Sequence, residues 1–382
     1  MKRKEENKYF LLLYYILAIF IILAVIITLS TSSYSTHRHY DMQIEASNKT
    51  LSAMTVLKER EEEVSKNYDY GNGFYESFDD KKYYDEQNLN TGMIGAEYTA
   101  ITTTTGNLDS KKTSLNPNFA AVYIKIFNEL LLKEGDEIVI NTSGSFPMLG
   151  ISCIIAAEEY GLKPFIMASI GASSYGATNP AFTIFDMLEY LYEQKIINTR
   201  VGIVSLGGNN DIGDTFGKYN GYKDKDAIIE RINKSSATFI YEKKFDVNIE
   251  KRLEIINKNT KNVKLFINVG GNSIGLGVKD SIYYKKNGVL YARKYKKSRL
   301  SLSNKGLLER YLADGVNVVQ MLNLKSIAST YGLEYGFNAL PDVGTGDAYY
   351  EKTYNLTYSI IAILAVLAFL IYYKKRRSTK EN

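Results

Sequence analysis

The chain is expected to be an α/β protein, a doubly wound, mostly parallel sheet forming an ectodomain flanked by one transmembrane helix at each end. Three observations predict this. Short β-branched runs alternate with helical segments from Asn116 to Tyr331, the pattern of βαβ units whose strands are covered on both faces. An uncharged run, Tyr9 to Leu29, and a second apolar run, Leu356 to Tyr373, are each long enough to cross a bilayer at about 1.5 Å per residue. Four of the expected strands end in polar, glycine-rich loops, which a parallel sheet would deliver to one edge.

The ends set the organisation. The expected boundaries are a cytoplasmic tail 1–8, a transmembrane helix 9–30, a stalk helix and loop 31–91, an extracytoplasmic α/β domain 92–353, a transmembrane helix 354–373 and a basic cytoplasmic tail 374–382. A cleavable signal peptide is the competing reading of the first span, but the apolar run exceeds the usual h-region and SSYSTHRHY is a poor cleavage context. Lys2, Arg3, Lys4 and Lys8 precede the first span and Lys374, Lys375, Arg376 and Arg377 follow the second. That asymmetry places both tails in the cytoplasm and the domain outside, with membrane lipid as a partner.

The net charge of +5 belongs to those tails. Residues 1–8 carry four basic and two acidic groups and residues 374–382 five and one, which leaves 38 basic against 39 acidic in the remainder. A general nucleic-acid binder is excluded by that balance. The single Cys153 rules out an intramolecular disulfide, so a hydrophobic core must hold the domain.

Along the chain, 41–66 reads as an amphipathic helix and 67–91, rich in Tyr, Asp, Asn and Gly, as a loop, together a stalk. Asn116 with Pro117 opens a helix to about Lys133, and Gly135-Asp136 turns the chain into the strand Glu137 to Ile140. A buried helix Pro147 to Tyr160, a strand Pro164 to Ile170, a helix from Pro180 capped by Asn179, and a strand Val201 to Leu206 follow. Further elements are helices Ala227 to Asn233 and Val247 to Asn259, strands Thr238 to Tyr241 and Val263 to Val269, then Asn304 to Leu312, Val316 to Met321 and Leu324 to Tyr331. Asn287-Gly288 between two strand-like runs, Tyr283 to Tyr295, reads as a type I′ hairpin.

The chemistry is expected where the four loops converge. Ser143, Ser145, Ser173, Ser174, Asn209 and Asp211 should line one pocket, with Asn179 and Asn272 at its rim, small residues letting a ligand reach the backbone. Each loop taken alone is also what an ordinary turn or cap looks like. The only histidines, His37 and His39, lie beside the first span, which removes a Ser-His-Asp triad or a histidine metal site from the domain. Cys153 sits in an apolar helix as a buried thiol. Ser143 or Ser145 activated by a lysine such as Lys112 is one catalytic arrangement, and capping serines are the alternative. Asp211 and Asp214 could ligate a hard cation or make an Asx turn; no metal and no cofactor is assigned. Thr102 to Thr105 beside Glu97 either covers the same edge or forms a strand. In the hairpin, Arg293, Lys294, Lys296, Lys297 and Arg299 form a basic strip suited to a polyanion, with a solvated or lipid-facing surface as the alternative.

Four segments together, GMIGAEYTAITTTTGNLDSKKTSLNPNFAA (Gly92 to Ala121), SGSFP (Ser143 to Pro147), GASSYGATNP (Gly171 to Pro180) and SLGGNNDIG (Ser205 to Gly213), resemble the poly-γ-glutamate system protein family, bacterial envelope proteins associated with capsule production. The likeness covers Gly92 to Gly275, about half of the chain, and departs from the family at Tyr175, in place of a tryptophan. It implies a pathway and no particular reaction: a membrane-anchored accessory protein for synthesis, export or surface handling of an anionic γ-glutamyl polymer, working beside other capsule-synthesis membrane proteins. Two alternatives stand with it, an envelope hydrolase or transferase using Ser or carboxylate chemistry, and a small anionic-ligand-binding α/β domain of the kind that sugar-phosphate isomerases use.

Overall fold

Seven strands form the central sheet of this computed structural model, which describes residues 2–66, 89, 91–216, 223–278, 286–295 and 304–381. The strands are β1 (Ser33–Thr36), β2 (Thr102–Thr104), β3 (Glu137–Ser143), β4 (Lys163–Ser169), β5 (Ala172–Ser173), β6 (Val201–Ser205), β7 (Thr238–Phe239), β8 (Val263–Val269), β9 (Gly288–Leu290), β10 (Asn317–Met321) and β11 (Tyr350–Thr353). The central order is β7-β6-β4-β3-β8-β10-β9, parallel throughout except for β9. Successive side chains leave a strand on opposite faces, so Ile138 and Ile140 enter one apolar cluster and Val139 the other. Met167, Ile203, Phe266 and Val318 join Val139 against the helices Phe245–Asn259 and Leu307–Ala313, while Ile166, Val204, Ile267 and Val319 share the opposite cluster with Phe119–Glu129, Pro147–Glu159 and Ile184–Glu193. Burial on both faces is why these strands are nearly continuous apolar runs.

Chain contacts divide into two compact units, 38–349 and a second made of 1–37 with 350–382. The larger unit begins well before the expected boundary at residue 92. The helix Tyr40–Lys66, expected as a stalk, buries Ala46, Ala53, Met54 and Leu57 in the core. Gln43 Nε2 donates to Ala121 O (3.0 Å) and Ala348 O (2.9 Å), and the Ser47 and Tyr349 hydroxyls meet at 2.7 Å. An amphipathic stripe looks the same whether it covers a domain or leads to one, and here small residues at 46 and 53 let it pack closely. Residues 67–88 of the expected loop lie outside the described residues.

Three further corrections are local. The helix expected from Pro180 begins at Ile184, because Thr183 and Asp186 form a reciprocal capping box. The helix after Pro117 begins at Phe119, with Asn116 Oδ1 accepting from Asn118 N at 3.0 Å. The expected hairpin is not one in its described part: Gly288–Leu290 pairs antiparallel with Val318–Gln320, and the chain then turns through a 3-10 segment, Ala292–Lys294. Asn287 Oδ1 instead accepts from Asn323 N at 2.7 Å, fastening this segment to the end of β10.

In the smaller unit, the helices Lys2–Ser30 and Thr357–Glu381 contain stretches, Leu11–Ser30 and Thr357–Lys375, that are long and apolar enough to cross a membrane. The Thr28 and Ser359 hydroxyls meet at 2.8 Å. Below them β1 and β11 pair antiparallel from Ser33↔Thr353 to Thr36↔Tyr350, and His37 Nε2 lies 3.0 Å from Glu351 Oε1.

Candidate functional site

The carboxyl ends of β3, β4, β6, β8 and β10 open into a cleft of about 570 Å³. Ser143, Ser145 and Phe146 reach it from β3, Ser169, Gly171 and Ser173 from β4 and β5, Gly207 to Asn210 from β6, Gly271 to Ser273 from β8 and Leu322 from β10. Thr103 to Asn107, Ser110 and Lys111 close it from the N-terminal side.

Backbone contact between the first two loops depends on glycine. A Cβ on Gly144 would stand 2.6 Å from Ile170 O. Without one, Gly144 N donates to Ser169 O (3.0 Å) and Gly144 O accepts from Ala177 N (2.7 Å). Ser173 N donates to Ser145 Oγ at 3.0 Å, and the short strand β5 runs parallel to β2, Thr102 opposite Ala172 and Thr104 opposite Ser173. The run is therefore both things the sequence left open: Thr102–Thr104 is a strand, and Thr103, Thr104 and Thr105 line the cleft.

Lys111 is the charged side chain of the cleft that the sequence reading missed. It lies on the helix Leu108–Ser114, capped by Asn107 Oδ1 accepting from Ser110 N (2.9 Å). Its amine donates to Ser173 Oγ at 2.7 Å and to Ser145 O, and lies 4.4 Å from the centre of the Phe146 ring. A Cβ on Gly106 would stand 3.1 Å from Lys111 Cε, so glycine leaves the room that the lysine occupies. Burial lowers the amine from 10.5 to about 7. Lys112, the lysine expected to activate a serine, does not line the cleft and donates to Asn338 Oδ1 at 3.3 Å.

Beneath the cleft three neighbouring strands carry a buried polar ladder. Asn141 of β3 sits opposite Asn268 of β8, which sits opposite Gln320 of β10. Asn141 Nδ2 donates to Asn268 Oδ1 (2.6 Å) and Asn272 Oδ1 (2.9 Å), and Asn268 Nδ2 donates to Gln320 Oε1 (2.7 Å) and Gly270 O (2.9 Å). These amides set the level at which the β8 loop leaves the sheet. A signal was present: EIVINTS and VKLFINV each place one amide in an apolar strand, and NVVQM follows its opening Asn317 with Gln320 between Val319 and Met321.

Of the eight expected pocket residues, Ser143, Ser145, Ser173, Asn209 and Asn272 line the cleft. The other three do not. Ser174 follows Ser173 and so faces the other way, its N–H donating to Thr104 O at 3.0 Å. Asn179 is drawn toward the first helix of the domain, its Nδ2 donating to Ser65 Oγ (2.9 Å) and Glu61 Oε1 (3.1 Å). Asp211, left-handed at φ 63°, turns its carboxylate under the β6 loop to Arg252 NH2 (2.5 Å), Asn248 Nδ2 (3.2 Å) and Ser205 Oγ (2.7 Å), which removes it as a cation ligand with Asp214. Asp214 Oδ1 accepts from Asn209 N at 3.2 Å, closing the β6 loop on itself.

Elsewhere, Cys153 is buried and burial pushes its thiol well up. Among the described residues no group of three His, Cys, Asp or Glu side chains comes together. Of the basic strip, Arg293 and Lys294 are exposed beside Tyr291, whereas Lys296, Lys297 and Arg299 lie outside the described residues. Arg293 and Lys294 sit in the 3-10 turn and not in a hairpin strand. Comparison with protein-family models, with characterised proteins and with solved structures finds no match to this chain.

Proposed function

We propose that this is a two-pass bacterial membrane protein, both termini cytoplasmic, whose extracytoplasmic domain handles an anionic γ-glutamyl polymer during capsule synthesis, export or surface processing. The ligand class is carried by the cleft lining: one lysine, serine and threonine hydroxyls, asparagine amides and glycine backbone, with no Asp or Glu among the described residues that line it. A γ-glutamyl chain presents one carboxylate per residue to such donors. The strand order fits a doubly wound sheet, whose ligand crevice opens where the order reverses, here between β3 and β8, and both Ser145 and Asn272 border that point. The resemblance of Gly92 to Gly275 to the poly-γ-glutamate system proteins supports the pathway. Exposed apolar side chains along both terminal helices, such as Ile19, Leu23, Ile363 and Leu367, favour a lipid surround, and the basic flanks favour cytoplasmic tails. The exposed Arg293 and Lys294 add donors for a polyanion.

Deleting the gene should remove γ-glutamyl polymer from the cell surface, and unchanged polymer would refute the pathway. The full-length protein in detergent should bind a labelled γ-glutamyl oligomer and not its counterpart with the α-carboxylates converted to carboxamides. Equal binding of the two would take charge out of recognition.

A further inference from the structure

Binding an anion calls for a charged amine, yet Lys111 is placed where its charge is costly to keep. It is nearly fully buried, and its two hydrogen-bond acceptors at the site, Ser173 Oγ and Ser145 O, are both uncharged. Ser173 is held on both sides: Ala172 N donates to Ile101 O (3.3 Å), Ser173 N to Ser145 Oγ (3.0 Å) and Ser174 N to Thr104 O (3.0 Å), while its own side chain lines the cleft. A fixed hydroxyl that faces a cleft, with an amine 2.7 Å behind it, has the geometry of an activated nucleophile.

We propose that Ser173 is a nucleophile and Lys111 its general base, which makes the cleft an acyl-transfer site for an amide or ester. Ser173 Oγ attacks the carbonyl carbon as its proton passes to Lys111 Nζ. The tetrahedral adduct collapses, the bond from carbon to the leaving nitrogen or oxygen breaks, and the leaving group takes the proton from Lys111. Water then gives its proton to Lys111 and attacks the Ser173 ester; the bond from carbon to Ser173 Oγ breaks, Oγ takes the proton back from Lys111, and the acid is released. Ser145 O holds one hydrogen of the neutral amine and so aims its lone pair at Ser173 Oγ. At its ordinary value of 10.5 the amine would be neutral in about one molecule in 3,000 at pH 7; lowered to about 7, roughly half of the molecules carry the base form.

The chemistry does not depend on the γ-glutamyl ligand, and the labelling that tests it uses none. Full-length protein in detergent is treated with a fluorophosphonate, which forms a bond from phosphorus to a serine oxygen and expels fluoride, and the adduct is located by peptide mass. A single adduct on Ser173 is expected, its rate rising with pH through an inflection near 7. Ser173→Ala should abolish it, and Lys111→Met and Lys111→Arg should slow it at least about 100-fold while melting cooperatively. No adduct on the folded wild type, an adduct on another serine, or a rate indifferent to Lys111 would overturn the proposal. Should the Lys111 variants fail to fold, the wild-type profile decides: a rate that climbs with hydroxide up to pH 10 without an inflection near 7 overturns it. A protein that takes the label but ignores γ-glutamyl oligomer refutes the ligand and keeps the nucleophile; the reverse result refutes only the nucleophile.

Discussion

Two buried charges lie near the carboxyl edge of the same sheet, and they are treated in opposite ways. Arg252, 0% exposed, meets Asp211, 1% exposed, and Asn248 and Ser205 supply further hydrogen bonds, so opposite charge and neutral partners together satisfy the pair. Lys111, also 1% exposed, has a hydroxyl and a carbonyl and, among the described residues, no carboxylate as hydrogen-bond acceptor. Burial then acts on the proton instead of on a partner: with no opposite charge beside it, the amine moves toward its neutral form. The first arrangement makes a scaffold that fixes the β6 loop. The second makes a reactive group.

The largest expected effect comes from unpairing the scaffold. Arg252→Met should destabilise the protein by about 3–5 kcal/mol, because Asp211 is left as a buried carboxylate, and adding Asp211→Asn should recover a large part. Chemical denaturation in detergent reads both; a loss under 1 kcal/mol would mean that water reaches Asp211 and would erase the contrast between the two sites.

The next effect is a dependence on pH. Below about pH 7 folded and unfolded states both hold the Lys111 proton, whereas between about 7 and 10.5 only the unfolded state does, so wild-type stability should rise over that window. Lys111→Met removes this rise: its stability relative to wild type should fall by roughly 2–3 kcal/mol from pH 6 to pH 9, at about 1.4 kcal/mol per unit. A pH-independent difference would show that the amine stays charged in its pocket.

A smaller change sharpens the account of the ion pair. Asn248 accepts from Arg252 Nε (2.9 Å) and donates to Asp211 Oδ2 (3.2 Å), so Asn248→Ala should cost about 1–2 kcal/mol without separating the charges. A loss as large as that of Arg252→Met would make the pair depend on its neutral bridge.

Much of the architecture was legible because it rests on local pattern. EIVINTS, KPFIMAS and VKLFINV are strands wherever a two-sided apolar environment exists, and the glycine-rich loops that follow them must leave a parallel sheet at one edge. The length and apolarity of the terminal helices are likewise properties of consecutive residues. The stalk reading failed because an amphipathic stripe states that one face is covered and not by what; Ala46, Ala53 and Leu57 found their cover on the helices Phe119–Glu129 and Pro147–Glu159.

The site divides along the same line. That serines and asparagines at 143, 145, 173, 209 and 272 would border one cleft followed from strand direction, a property of the sequence pattern. Which of two adjacent lysines enters it did not: Lys111 and Lys112 are chemically alike, and only the position of a seven-residue helix, with Gly106 leaving space and Ser145 and Ser173 supplying acceptors, turns one amine into the cleft and the other toward Asn338. Likewise Asp211 carries the same carboxylate in any loop, and it is Arg252, 41 residues later, that makes it a buried anchor. Periodicity and loop composition act between near neighbours and are written in the chain; desolvation and charge pairing depend on what distant segments bring to one point, and only the folded structure assigns them.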